Sequence, residues 1–312
     1  MANSVITNSG AKVALQSLNK INSQLDTTQK KVSTGYKVAD AKDDGAAYAV
    51  AQKVRADVTG LNSANDQLGG VNGLLTSTLK AVETVSNKLG NEVSKVLTAL
   101  SNSGIDTETR KQYTEQFKSL VGQMNTTLQD ASYNGTRLLS STANDPLTGA
   151  AYIGGSMEVT RNEKGQTYTV NADASSADAL SFTTDIATDI SAIEEITAEE
   201  ASALLQGRDG TGAIDTVTLA SGGIELKTFV SLTSSVNSTQ NQLGNDANYV
   251  SSQMSYNSSR IDAMEEGLGS LVDADLAKES ARLTALQTQQ QLATTALSTA
   301  NSAPQVLLSL FR

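Results

Sequence analysis

The chain has no cysteine and no histidine in 312 residues, and its aromatic content is only 4%. Without cysteine there are no disulfides and no thiolate metal sites. Without histidine the commonest general base is missing, and with it the Ser-His-Asp and Cys-His arrangements and most zinc sites. Carboxylate-only catalysis survives these exclusions. Scarce aromatics and 38% hydrophobic residues are low for a compact globular core and suit long helices packed by aliphatic seams. No apolar run is long enough to span a membrane, and Met1 to Gln16 lack the apolar stretch of a signal peptide. On these grounds alone the expectation is a soluble, cytoplasmic protein. A basic patch is also missing, which argues against nucleic acid as a partner.

What is present is unevenly placed. The net charge is −10, and residues 141–235, with 14 acids against 4 bases, account for it. The flanks carry 19 of each sign. Neutral flanks can pack densely against copies of themselves, whereas an acidic segment is better placed in solvent.

Both ends read as long helices with thin apolar stripes. From Asp275 to Asn301 there is no glycine, proline or aromatic residue. Leu276, Leu283 and Leu297 share one seven-residue step, with Gln290 in the remaining slot; Leu286, Ala293 and Ala300 share a second. That is a heptad seam on a helix of roughly 40 Å. At the other end, residues 3–34 place Leu18, Leu25 and Val32 on one row and Ala14, Ile21 and Thr28 on its companion. Neither stripe is wide enough to fold alone, so the two are expected to pair. Pro304 is expected to end the last helix, leaving an apolar tail with Leu307 and Leu310 that suggests a binding surface.

Inside these ends the seams are stronger. Val54, Leu61, Leu68, Leu75, Val82, Leu89 and Val96 occupy seven consecutive heptad positions, all apolar, and predict one helix from Ala46 to Leu100. Gly60, Gly69, Gly70, Gly73 and Gly90 fall within it at a cost of about 1 kcal/mol each in an isolated helix. Close approach of neighbouring helices, or a bend, would explain them. Asp43 or Asp44 is expected to cap this helix. A turn at Ser101 to Ile105 and a cap at Asp106 predict a second helix over 107–130, with Phe117 on its apolar face, folded back as a hairpin. Helical texture returns near Lys227. Val236, Leu243, Val250, Met264 and Leu271 keep one step, with Asn257 as its polar member. Met254 and Ile261 lie on the companion row, and Gly267 and Gly269 are expected to break the helix.

Between them lies a different texture. Met157–Arg161 and Thr167–Asn171 are short β-rich runs around Asn162-Glu-Lys-Gly-Gln and predict a hairpin. Thr197 should cap a short helix to Gln206, and Thr216–Leu219 and Gly223–Leu226 are candidate strands. The expected fold is therefore mainly α: long antiparallel helices in a coiled-coil bundle formed by both termini, with a small α/β central insert that contains a β-hairpin.

Three motifs in order carry a resemblance. The first is Val32-Ser-Thr-Gly-Tyr-Lys-Val-Ala-Asp-Ala-Lys-Asp-Asp-Gly-Ala-Ala; the second is Ser132-Tyr-Asn-Gly-Thr-Arg-Leu-Leu. The third is the C-terminal set Asn257-Ser-Ser-Arg-Ile, Asp273-Ala-Asp-Leu-Ala-Lys-Glu and Ala300-Asn-Ser-Ala-Pro-Gln-Val-Leu-Leu-Ser-Leu-Phe-Arg. Over about 1–140 and 236–312 the chain resembles bacterial flagellin. The resemblance implies a filament subunit exported through the flagellar channel without a cleaved signal peptide, which replaces the cytoplasmic expectation. It implies a terminal helical pair over 1–38 and 270–312 as inner filament core, a helical bundle with β-hairpin over 39–171 and 236–269, and a variable exposed insert over 172–235. Assembly residues would be Leu18, Ile21, Leu25, Val32, Leu276, Leu283, Leu286, Leu297, Leu307 and Leu310. Bundle-core residues would be Val54, Leu61, Leu68, Leu75, Val82, Leu89, Val96, Phe117, Leu243, Val250, Met254 and Ile261.

No catalytic, metal or cofactor residues are implied. The partners implied are the chain itself, an export chaperone, the export apparatus, the filament cap and hook-associated proteins, with neither nucleic acid nor membrane among them. Some members of the family display an Arg-Glu-Leu group to a Toll-like receptor. The corresponding stretch here, about Glu92 to Leu97, reads Glu-Val-Ser-Lys-Val-Leu, so weak recognition is expected. Alternatives on the same scaffold are a hook–filament junction protein or a surface adhesin.

Overall fold

Asn8 starts the first helix because its side chain accepts the Ala11 N–H at 2.9 Å, satisfying an amide that a helix start leaves without a partner. The helix, α1, runs Ser9–Thr34 and stops at Gly35, whose φ of 76° lets its N–H turn back onto the Lys31 carbonyl. A computed structural model describes residues 8–139, 155–171, 176–183, 188–209 and 212–310, apart from the side chains of 209 and 303–310. The chain forms two compact units, Met1–Thr59 with Arg260–Arg312, and Gly60–Ser259.

Asp44 opens α2, Gly45–Lys88, by accepting from the N–H groups of Ala46 and Ala47, each at 3.0 Å. The helical path continues through one wider π turn, Leu89–Val93, into α3, Ser94–Leu100. The uninterrupted α-helix expected to Leu100 is thus corrected. An extra residue is absorbed around Gly90, beside which a side chain would meet nothing. The wider turn re-phases the apolar face, so that Leu89, Val93, Val96, Leu97 and Leu100 are all buried. Asp106 caps α4, Thr107–Gln129, as its spacing from the turn implied.

In the second unit one core joins these helices to α6, Phe229–Val272. Leu68, Leu75 and Val82 of α2, Phe117 and Met124 of α4, and Leu243 and Val250 of α6 belong to a single buried cluster. At Asn134 and Gly135 the φ angles are 50° and 77°, so Tyr133 and Thr136 exchange backbone bonds of 2.9 and 3.0 Å across a tight turn. The hairpin has β1, Met157–Thr160, antiparallel to β2, Thr167–Val170, with Met157 opposite Val170. Thr197 and Glu200 form a capping box on α5, Ala198–Gln206. Two small antiparallel pairs follow: β3, Arg208–Asp209, with β4, Gly212–Ala213, and β5, Thr216–Thr218, with β6, Glu225–Lys227.

Two expected breaks do not occur. α6 passes through Gly267 and Gly269 and ends at Val272. Two glycines cost less than a turn of lost helix, whereas Asp273–Asp275 supply a real stop: Asp275 accepts from the N–H groups of Ala277 and Lys278 and starts α7, Leu276–Leu310. Pro304 does not end α7 either. Proline deletes one helical bond, to the carbonyl four residues back; that carbonyl, Ala300, instead accepts from Asn8 Nδ2 at 2.8 Å.

Candidate functional site

In the first unit α1 and α7 run antiparallel. Asn8 bonds Ala300, Gln290 donates to Asn22 at 2.8 Å, and Lys31 reaches Glu279 at 3.9 Å. Residue numbers climb on one helix as they fall on the other. The seam residues face this contact but are incompletely covered. Leu18, Ile21, Leu25, Val32, Leu283 and Leu297 are half-buried, and Leu286 is buried. Leu276 is 49% exposed, so it contributes little within the single chain. The side chains of Leu307 and Leu310 lie outside the described residues. The pair also leaves Val13 at 62% and Leu292 at 65% exposure, apolar surface that one copy of the pair cannot cover.

Beside the pair the two connectors are pinned to each other. The Lys37 N–H donates to the Val272 carbonyl at 2.8 Å, and the Ala274 N–H to the Gly35 carbonyl at 2.9 Å. The Lys30 ammonium donates to Asp40 and Asp43 at 2.7 and 2.9 Å. These bonds hold both carboxyls below the usual range, helped by the Lys42 N–H at Asp40 and the Ala39 N–H at Asp43; they raise the lysine. The aspartates read from the sequence are thus structural. Asp44 is the cap, and Asp43 folds the connector onto α1. Arg55 lies over the Tyr36 ring at 5.8 Å, a cation–π contact in the same unit.

In the second unit the predicted seam is a core. Leu61, Leu68, Leu75, Val82, Leu89, Val96, Phe117, Leu243 and Val250 are all buried, and Met254 is half-buried. Val54 and Ile261, which fall in the first unit, are half-buried. The polar seam position, Asn257, is fully buried and fully engaged. Its Nδ2 donates to Asn65 Oδ1 at 2.9 Å and to the Arg161 carbonyl at 3.0 Å, and its oxygen accepts from Gln253 at 2.9 Å. Burying an amide is tolerated only when its groups are paired, and here the partners come from α2, the hairpin and α6 itself.

Two of the glycines in α2 make room, though not for a helix. A Cβ at Gly60 would stand 3.0 Å from Cβ of Glu163 in the hairpin turn, and one at Gly73 would stand 3.0 Å from the Tyr133 ring. At Gly69 a Cβ would meet only Met254 Cε of α6, at an ordinary contact distance of 3.8 Å, so close approach of helices does not account for that glycine.

Sequence reasoning missed two sets of fasteners. One holds the hairpin to α6. Asp246 accepts from the Tyr168 hydroxyl and from the Asn171 N–H, both at 2.6 Å, and the Tyr168 and Tyr249 rings stack at 3.9 Å. Burial, followed by the Asp246 bond, pushes the Tyr168 hydroxyl above its ordinary range. The other holds the insert to α4. Arg110 donates to the carbonyls of Leu100 and Asn102 at 2.8 and 2.9 Å and ion-pairs with Glu195 at 3.5 Å. Thr114 accepts from the Ile196 N–H at 3.1 Å, and Lys118 donates to the Ile193 carbonyl at 3.1 Å. The spacing i, i+4, i+8 was the available signal: three polar residues on one side of an otherwise apolar-faced helix.

Among the described residues no group of three or more His, Cys, Asp or Glu could hold a metal, and no helix is long and apolar enough to cross a membrane. Residues 5–144 match the bacterial flagellin N-terminal helical region, and residues 227–311 the bacterial flagellin C-terminal helical region. A flagellin of Brucella melitensis is 31% identical over 312 residues, covering 99% of both chains. Flagellin FljK of Caulobacter vibrioides is 33% identical over 310 residues, again 99% of each, and flagellin C of Rhizobium meliloti is 31% identical over 323 residues, likewise 99% of each. With helical regions matched at both ends and relatives aligned along nearly the whole length, the chain belongs to the bacterial flagellins, the non-enzymatic structural subunits of the flagellar filament.

Proposed function

We propose that the terminal pair is the device by which copies of this chain polymerise. Leu18, Ile21, Leu25, Val32, Leu276, Leu283, Leu286, Leu297, Leu307 and Leu310 order and pack as subunits join. The observation that carries the reading is the thinness of the pair: Leu286 is the only apolar side chain of α1 and α7 that is buried among the described residues. Fixing a backbone costs about 1–2 kcal/mol per residue, and segments that bury little alone order when neighbours supply the rest. Contacts between unlike surfaces that do not close generate an open helix.

On this reading residues 1–38 with 270–312 form the inner filament core, 39–171 with 236–269 the helical bundle, and 172–235 the variable surface segment. Kinship supports the remaining expectations: export through the flagellar channel without a cleaved signal peptide, and encounters with an export chaperone, the export apparatus, the filament cap and hook-associated proteins. Toll-like receptor recognition is weak, because Glu92 to Leu97 lacks the Arg-Glu-Leu pattern; strong activation of receptor-bearing reporter cells would contradict this. The assembly reading is tested by heating the protein to monomer, re-seeding, and viewing it by negative-stain microscopy beside a version lacking 1–34 and 275–312. Filaments from the full chain alone are expected. Filaments from both overturn the role given to the termini.

A further inference from the structure

The contact between Asn8 and Ala300 joins three facts. Asn8 Oδ1 caps α1 by accepting the Ala11 N–H at 2.9 Å. Asn8 Nδ2 donates to the Ala300 carbonyl at 2.8 Å. Pro304 lies four residues beyond Ala300 within α7 and has no N–H to give that carbonyl. In a proline-free stretch each carbonyl is already engaged by its own helix, and a donor from outside would bond any of them about equally. Proline marks one carbonyl as open.

We propose that Asn8 and Pro304 together form a register clip: the side-chain amide of Asn8 locks α1 against α7 at the one carbonyl that Pro304 leaves without a helical donor. The rest of the seam repeats every seven residues, so a one-heptad slip keeps apolar face against apolar face; besides the clip, register is marked by Gln290 donating to Asn22 at 2.8 Å and by Lys31 reaching Glu279 at 3.9 Å. Such a slip would remove Ala300 from the reach of Asn8. An amide is suited to the task because one group accepts at the cap and donates to the clip; aspartate could only accept, and the serine hydroxyl, though it can donate, is too short to cap α1 and reach Ala300 together. The clip rests on the assembly reading for its consequence, but its existence can be measured without it.

The test uses the full chain with Asn8→Ser, which keeps a good cap but is too short for Ala300, with Pro304→Ala, which gives Ala300 a helical donor, and with the double variant. N8S is expected to raise the critical concentration for seeded polymerisation about tenfold, the worth of one hydrogen bond of about 1.4 kcal/mol. In the P304A background the same change should cost less than about twofold. Hydrogen exchange at residues 297–300 should accelerate in N8S and return in the double variant. Wild-type behaviour of N8S, or an equal penalty in both backgrounds, overturns the clip. If the wild-type chain does not polymerise at all, the assembly reading fails instead, and the exchange pattern alone decides the clip.

Discussion

Two regions built from the same residue types and the same heptad spacing reach different degrees of burial. In Gly60–Ser259, Leu68, Phe117 and Leu243 are inaccessible to solvent. In the terminal pair, one apolar side chain of α1 and α7 is buried among the described residues, and Val13, Leu15 and Leu292 are exposed. The bundle has a third helix, a hairpin and an insert to close over its seams; the pair has only its two members. The difference shows that a heptad pattern specifies a face to be covered and leaves open who covers it. Where the chain supplies the cover the unit is complete; where it does not, the face stays exposed in the single chain and, on the assembly proposed above, is covered by another copy.

The largest effect expected from breaking that contrast is on assembly. Leu286→Glu puts a charge into the one apolar site of the pair that is buried among the described residues. Seeded growth should fall by at least a hundredfold in critical concentration, the equivalent of about 2.7 kcal/mol, while the melting temperature of the bundle stays within about 2 °C. A lowered bundle melting temperature would show that the two regions do not separate in this way.

Next is the bundle itself. Phe117→Ala empties a fully buried ring and its edge-to-face contact with Phe182 at 5.3 Å. The expected loss is about 3–5 kcal/mol, or roughly 6–20 °C in melting temperature for a unit of this size, read by circular dichroism.

A smaller effect is set by pH. The folded Tyr168 hydroxyl is raised by burial and by its bond to Asp246. A raised group contributes stability that is present below the unfolded tyrosine value, about 10, and that is lost as pH climbs above it toward the folded value. Between neutral pH and about pH 11 wild-type should therefore lose more stability than Tyr168→Phe, seen as a steeper fall in denaturation midpoint. Parallel curves would show that the hydroxyl does not fasten the hairpin.

The smallest effect belongs to the exposed Lys30–Asp40–Asp43 cluster. Both carboxyls are held low, so their contribution is present above the unfolded aspartate value, about 3.9, and is lost as pH falls below it. Lys30→Gln should leave the melting temperature unchanged within error at neutral pH and speed exchange only at the Ala39 and Asp40 amides. A global destabilisation would show that the connector matters far more than solvent-screened ion pairs normally do.

The seams were legible because burial and heptad position coincide: Leu61 through Val96 were read at seven-residue steps and are buried. The caps Asp44, Asp106 and Thr197 were legible because the groups they satisfy lie two or three residues away. The wider turn at Leu89–Val93 was not, because one residue of re-phasing is invisible to a pattern that tolerates a slip at Gly90. Nor were the continuous paths through Gly267, Gly269 and Pro304. Local propensity argues for a stop at each, and the compensation at Pro304 comes from Asn8, 292 residues distant along the chain from Ala300. Asn257 was visible as an exception in its row, but its partners Asn65 and Arg161 were not.

By itself the sequence determined the helices, their apolar faces, the starts at Asp44, Asp106 and Thr197, and the acidic character of the middle, though not the start of α1 behind Asn8, which was expected at residue 3. These follow from spacing and from interactions a few residues long. Only the tertiary structure decided which faces are closed, what stands close to Gly60 and Gly73, and how Asp246, Arg110 and Asn257 are paired. Those outcomes depend on groups that the chain brings together from dozens or hundreds of residues apart, and no local pattern encodes which of many equivalent donors will arrive.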